Sequence, residues 1–332
     1  MKAVRLHELG GPEKLIVEDI PAPEPGPGEI LVRIKRAALN RRDVFITQGL
    51  YRGIELPKTL GSDGCGEVAR LGAGVSGPPV GTPVVIDPAI GWGPNERVWQ
   101  PSATILGLPR DGTFAEFVAV PAENVYPKPA QLSDDEAAAI PLAGLTAYRA
   151  LISRGNVTKD DIVLITGIGS GVQTFVLLFA KHVGARTIVT SSSDEKLARA
   201  QRLGADVLLN YKTDPEWHKE LRRFGEPTLI VDALGGETLS RALEAAAFGA
   251  RVVIYGGTTG DARIRPYAIF WKQLDVLGTS MGSPRDFAGM LALFANGLRP
   301  VIDRVFPIEE IAEAAERVRA GDQFGKVVIA VA

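Results

Sequence analysis

The run Ile162-Val163-Leu164-Ile165-Thr166 passes directly into Gly167-Ile168-Gly169-Ser170-Gly171-Val172-Gln173, and a helical pattern follows. Glycines there permit a sharp turn and close backbone approach, and the free N–H groups at a helix start favour negative charge. That combination suits the pyrophosphate of a dinucleotide, lined by Gly169, Ser170, Gly171 and Val172. Gln173 stands where the usual spacing has a last glycine, which predicts a slightly wider gap between helix and strand. Past the second strand come Ser191, Ser192 and Ser193, then Asp194, Glu195 and Lys196. A carboxylate at that strand end would repel a 2′-phosphate, whereas serine hydroxyls donate to one and Lys196 adds positive charge. These residues favour NADPH over NADH. Asp194 and Glu195 fall in the first helical turn, where the dipole suits them, and the same serines also make good helix caps.

Other chemistries have little support. Cys65 is the one cysteine, so no intramolecular disulfide and no Cys-rich zinc site can form. With no basic neighbour, it reads as buried and inert. His7, His182 and His218 lack a Cys or Glu partner at ligand spacing and read as surface or packing residues. Lys+Arg 37 against Asp+Glu 39 leaves no basic excess for a phosphate backbone, so no nucleic-acid partner is expected. The most apolar runs, such as Thr174 to Ala180, fall well short of a membrane span, and the charged start is no secretory signal. A soluble cytoplasmic protein is expected.

The chain that positions these residues has 332 of them, against about 150 for a typical domain, which predicts two domains. The first 125 or so are β-rich, with runs at Lys2–Leu6, Leu15–Ile20, Ile30–Ala38, Cys65–Leu71, Thr82–Ile86 and Ala115–Val120. Asp87–Gly112 has no sustained period and reads as a long loop. From Ser133, whose Ser-Asp-Asp-Glu has the form of a capping box, helices and strands alternate. Strands recur at Ile162–Thr166, Thr187–Thr190, Val207–Leu209, Thr228–Val231, Val252–Tyr255 and Val276–Gly278. The helix after Gly171 would bury Val172, Phe175, Val176, Phe179, Ala180 and Val183. Repeated βα units imply an α/β fold with a doubly wound parallel sheet. A last strand at Lys326–Val331 is expected to return to the first domain.

Several segments then point to one family: Pro25-Gly26-Pro27-Gly28-Glu29-Ile30-Leu31-Val32, Ala38-Leu39-Asn40-Arg41-Arg42-Asp43, Leu60-Gly61-Ser62-Asp63-Gly64-Cys65-Gly66-Glu67-Val68, Gly72-Ala73-Gly74-Val75, Gly144-Leu145-Thr146-Ala147-Tyr148 and Leu203-Gly204-Ala205-Asp206. Over essentially the whole chain they resemble the medium-chain dehydrogenase/reductase superfamily, in its zinc-independent quinone-oxidoreductase-like branch. The resemblance implies a GroES-like catalytic domain, residues 1–125 plus about 285–332, interrupted by a Rossmann NADP-binding domain at about 126–284. It places the active site in the interdomain cleft. It also implies a homodimer or homotetramer joined edge to edge near Val276–Thr279. The zinc ligands of the alcohol dehydrogenases carry over to Asn40, Ser62, Asp63 and Leu142, mostly poor or impossible ligands. The lobe that holds structural zinc on cysteines corresponds to Asp87–Gly112, which has none.

Without a Lewis acid a simple ketone is hard to reduce, whereas a quinone or enone delocalises the charge that hydride addition creates. The expectation is therefore an NADPH-dependent, zinc-independent reductase of quinones or α,β-unsaturated carbonyls. Asn40 would sit near the nicotinamide, Asp43 would organise that corner, and Tyr51 could donate to the developing oxyanion. Phe45 stands where relatives often have a second tyrosine. Asn40 also suits a helix cap and Tyr51 a loop anchor. By the same resemblance Thr146 lies under the nicotinamide, and Ser191, Ser192, Lys196 and Tyr211 surround the 2′-phosphate. Tyr255, Gly256 and Gly257 would line the nicotinamide ribose, with Met281 at the same sheet edge and Lys326 as a late contact. Two alternatives stay open: an NADPH-binding sensor or structural protein with little turnover, and a metal-dependent alcohol dehydrogenase with unusual ligands.

Overall fold

The computed structural model describes residues 1–332. The first strands and helices are β1 (Lys2–Leu6), β2 (Leu15–Asp19), β3 (Glu29–Ala38), α1 (Arg41–Thr47), β4 (Asp63–Leu71), β5 (Pro83–Ile86), β6 (Ala89–Ile90), β7 (Thr104–Ile105), β8 (Phe117–Pro121) and β9 (Val125–Pro127). Next are α2 (Asp134–Ala139), α3 (Pro141–Tyr148), β10 (Ile162–Ile165), α4 (Gly171–Val183), β11 (Arg186–Ser191), α5 (Asp194–Arg202), β12 (Val207–Asn210) and α6 (Trp217–Phe224). The chain continues through β13 (Leu229–Asp232), α7 (Gly236–Ala245), β14 (Arg251–Ile254), α8 (Pro266–Lys272) and β15 (Asp275–Gly278). It closes with α9 (Pro284–Ala295), β16 (Ile302–Pro307), α10 (Ile311–Ala320) and β17 (Lys326–Ala330).

Two compact units result, Met1–Leu145 with Gly282–Ala332, and Thr146–Met281. In the first, a seven-stranded sheet runs β16-β17-β3-β4-β5-β9, with β8 also paired to β3. Strand β17 lies antiparallel to β3 in the register Val328↔Ala38, so the late segment completes a sheet begun near the start of the chain. The sheet core gathers Val4, Ile30, Ile34, Val84, Phe114, Phe306 and Ile329. From sequence, residues 126–145 go with the second domain, but the structure puts them in the first unit. The reason is packing: α2 lies against β3 and β4, and Ala139 is buried with Ala38 and Val328. The stretch Asp87–Gly112, expected as plain loop, carries a short ribbon, Ala89↔Ile105, with Trp92 and Trp99 ring centroids 6.1 Å apart.

The second unit is a six-stranded parallel sheet in the order β12-β11-β10-β13-β14-β15. Its central strands are buried on both faces, which is why they read as continuous Ile/Val/Leu runs. Strand order reverses beside β10, so the crevice at that strand's carboxyl end is where such sheets bind ligands. Helix α4 buries Phe175, Val176, Leu177, Phe179 and Ala180, while Val172 and Val183 are half-buried.

Candidate functional site

In the second unit the turn between β10 and α4 is built by two glycines with positive φ, Gly167 at 72° and Gly169 at 120°. Ser170 caps α4 and accepts from the Gln173 N–H at 3.3 Å. Gln173 does more than widen a gap. It is fully buried, and its Nε2 donates to Thr166 O at 2.7 Å and Val231 O at 3.3 Å, tying the helix start to the ends of two strands. A Cβ at Gly169 would lie 2.8 Å from Cδ of Lys196, so the lysine chain crosses the glycine turn with its ammonium near the α4 start. Ser193, not Ser191 or Ser192, caps α5 by accepting from Lys196 N at 3.3 Å. Ser191 is buried at the end of β11, Ser192 is exposed, and the Tyr211 N–H donates to Ser191 O at 3.1 Å.

Beyond β14, Tyr255 places a buried hydroxyl beside Ser170 and Asp232, and burial pushes its pKa up. Gly256 lies so close to Ala233 O that a Cβ would be 2.9 Å from it. Thr146 is buried in α3, and Met281 is buried with φ of 53°, a conformation that non-glycine residues seldom adopt. A helix start cradled by glycines, with an ammonium across it and a buried hydroxyl beside it, fits the pyrophosphate of a pyridine dinucleotide.

In the first unit, Asn40 precedes α1 with extended backbone, and its N–H donates to the Asp43 carboxylate at 2.8 Å. Asp43 is buried, with Oδ1 unpartnered, and burial raises its pKa to about 6 against the opposing pull of Arg42. The positions carried over from zinc ligation meet here, and a cation of another kind is among them. The Lys326 ammonium donates to Asn40 Oδ1 at 2.7 Å, Asp63 Oδ2 at 2.8 Å and Leu39 O at 2.8 Å. Asp63 also accepts from Asn40 Nδ2 at 2.9 Å and from Leu142 N at 2.7 Å. Side-chain exposure is 2% for Lys326 and 0% for Asp63. All three donors of Lys326 are engaged within the protein, which makes it an internal counter-charge to Asp63. Ser62 donates to Leu106 O at 2.7 Å and accepts from Arg42 Nη1 at 2.6 Å. Tyr51 is 37% exposed, its ring 5.3 Å from the Arg42 guanidinium carbon.

Comparison with known proteins agrees with this architecture. Residues 26–130 match the alcohol dehydrogenase GroES-like domain, and residues 171–296 match the zinc-binding dehydrogenase domain. A zinc-type alcohol dehydrogenase-like protein, YogA of Leptosphaeria maculans, is 37% identical over 93% of this chain and 92% of its own. The chain belongs to the medium-chain dehydrogenase/reductase superfamily. Another member, the acryloyl-coenzyme A reductase of Metallosphaera sedula, is 28% identical over 99% of both chains. A crystal structure of an NAD-dependent alcohol dehydrogenase aligns over 100% of both chains with a TM-score of 0.94 and 40% identity.

Zinc appears in the name of one matched domain, but the donors of this superfamily member do not fit it. The oxygens of Asn40 and Asp63 that would face an ion are held by an ammonium, Ser62 is held by Arg42 and Leu106, and Leu142 has no side-chain donor atom. No group of three or more His, Cys, Asp or Glu side chains is placed to hold a metal. No helix is long and apolar enough to cross a membrane.

Arg42 was not among the residues the sequence singled out, although one signal for it was available. Two arginines opening α1 stand at the positive end of the helix dipole, where cations are disfavoured unless something else holds them.

Proposed function

We propose that this oxidoreductase is an NADPH-dependent, zinc-independent reductase of quinones or α,β-unsaturated carbonyls. The observation that carries the reading is the Lys326 ammonium lodged among Asn40, Asp63 and Leu39. With no Lewis acid to hold a localised alkoxide, acceptors that spread the charge themselves are favoured. The similarity to an acryloyl-coenzyme A reductase supports an activated C=C bond as one such acceptor.

A bound reduced nicotinamide would supply the hydride. Gly169, Ser170, Gly171 and Val172 would receive its pyrophosphate, and Lys196 with Ser191, Ser192 and Tyr211 would hold the 2′-phosphate. Tyr255, Gly256 and Gly257, with Thr146 and Met281, would shape the rest of that site. Asn40 has its amide fixed at both ends, by Lys326 on Oδ1 and Asp63 on Nδ2, which leaves one Nδ2 proton to donate. Asp43 fixes the Asn40 backbone, and Tyr51, its ring beside Arg42, is the candidate phenol for proton donation.

Oxidation of NADPH and NADH is to be followed with an o-quinone and with an enone, in the presence of a chelator. Turnover with NADPH preferred supports the reading. Stoichiometric zinc in unsupplemented protein, with activity lost on its removal, would overturn it, and cofactor binding without turnover would favour the sensor alternative.

The same reading includes a homodimer or homotetramer joined at the β15 edge. Val276 on that strand and Tyr267, Phe270 and Trp271 on the adjoining α8 are all exposed, with the Tyr267 and Trp271 rings stacked at 5.6 Å. An aromatic cluster of this kind on an unpaired strand edge supports self-association.

A further inference from the structure

Arg42 is 8% exposed, yet its guanidinium is only half engaged. Both of its hydrogen bonds leave from Nη1, to Ser62 Oγ at 2.6 Å and Leu106 O at 2.9 Å. Nε is buried with no partner, and Nη2 makes no hydrogen bond. Nε and Nη2 together form the edge that takes two oxygens of a planar acceptor, or both donors onto one. Two other arginines show that edge filled: Arg317 gives Nε and Nη2 to Asp303, and Arg319 gives the same pair to Glu316. At Arg42 the fork lies empty, two residues from Asn40. The Tyr51 ring covers the guanidinium face from an exposed, irregular segment. A buried guanidinium at the positive end of a helix, beside Asp43 but with Nε and Nη2 unused, is costly unless those two donors find an acceptor.

We propose that Arg42 is the oxyanion-binding residue of this enzyme, receiving the carbonyl or carboxylate oxygen of the substrate on its Nε–Nη2 edge. The inference rests on the reading of the protein as a reductase of conjugated carbonyls. When hydride from a reduced nicotinamide forms the new C–H bond at the β carbon, the C=C pair moves toward the carbonyl and leaves an enolate oxygen. A proton from Tyr51, replaced in turn from solvent, then goes to the α carbon and the carbonyl is restored. Arg42 matches that oxygen in charge and geometry, and Lys326, with every donor engaged, does not. Substrates with an oxygen in conjugation, including unsaturated carboxylates and thioesters, are the class selected.

The test uses crotonate, an unsaturated carboxylate, titrated against the full-length protein by ligand-observed NMR with no cofactor added. Wild type is expected to bind it saturably and Arg42→Gln at least 30-fold more weakly. Arg42→Lys keeps the charge without the fork and should be about 10-fold weaker. Melting curves of both variants check folding, and the lysine variant carries the test should the glutamine variant not fold. In parallel, Arg42→Gln should lower kcat/KM for an enone by about 10²–10³-fold, the usual effect of removing one oxyanion donor, with NADPH affinity within twofold. Crotonate binding that is absent, or equal in wild type and variants, overturns the inference and leaves the reductase reading standing on its own turnover. Arg42-dependent binding without turnover of any enone or quinone sinks the reductase reading and keeps the anion site.

Discussion

Lys326 and Asp63 illustrate how a charge is tolerated at zero exposure. Every donor of the ammonium and both carboxylate oxygens find partners, so neither ion is left bare in a low dielectric. Removing one partner is the damaging change. Lys326→Met should destabilise the protein by about 3–5 kcal/mol in chemical denaturation, and Asp63→Asn on that background should recover part of the loss. Asp43 carries the opposite sign of risk. Its folded pKa, raised to about 6 from an ordinary 3.8, means the folded state holds the proton more tightly. The associated stability is full below about pH 4 and is lost as pH rises through about 6, amounting to about 3 kcal/mol. The stability of Asp43→Asn relative to wild type should therefore rise as pH passes through that window, read as the difference between their denaturation midpoints. Cys65 is buried, and burial pushes its thiol to about 12, so iodoacetamide should leave the native protein unmodified for hours and label it once unfolded.

Among the elements, the strands that alternate or run apolar were legible within a residue or two at each end, β1 and β10 through β15 among them. So was the capping box of α2, where Ser133 Oγ accepts from Glu136 N at 3.2 Å and Glu136 Oε2 accepts from Ser133 N at 2.8 Å. Ser133→Ala should cost about 1 kcal/mol of stability by thermal melting. What escaped was short or set by tertiary contact. Strand β16 reads Ile-Asp-Arg-Val-Phe-Pro, too polar to announce itself, and β6 and β7 have two residues each. Gln173 looked like a missing glycine, because nothing local says that its amide will bond to Thr166 and Val231. The ion pair of Asp63 with Lys326 joins residues 263 positions apart, which no motif spacing encodes. Arg42 escaped for the same reason: its meaning lies in which donors are left over after folding.

At the scale of the molecule, the exposed aromatic face of α8 and the edge of β15 belong to one contiguous unit, Thr146–Met281. On the proposed edge-to-edge assembly, Trp271→Glu combined with Val276→Lys should give monomer where wild type scatters light as a dimer or tetramer, with cofactor binding kept. The other unit is discontinuous, and this has a consequence for how the protein is made. Asp63 leaves the ribosome 263 residues before the ammonium that neutralises it. Until β17 is translated, β3 lacks one neighbour and that carboxylate must stay hydrated, so the early segment cannot close its core. The cofactor unit, by contrast, has all six strands before Lys326 is made. The strands of the second unit are therefore all available before those of the first. A chain stopped before Lys326 leaves Asp63 without its counter-charge and β3 without its β17 neighbour.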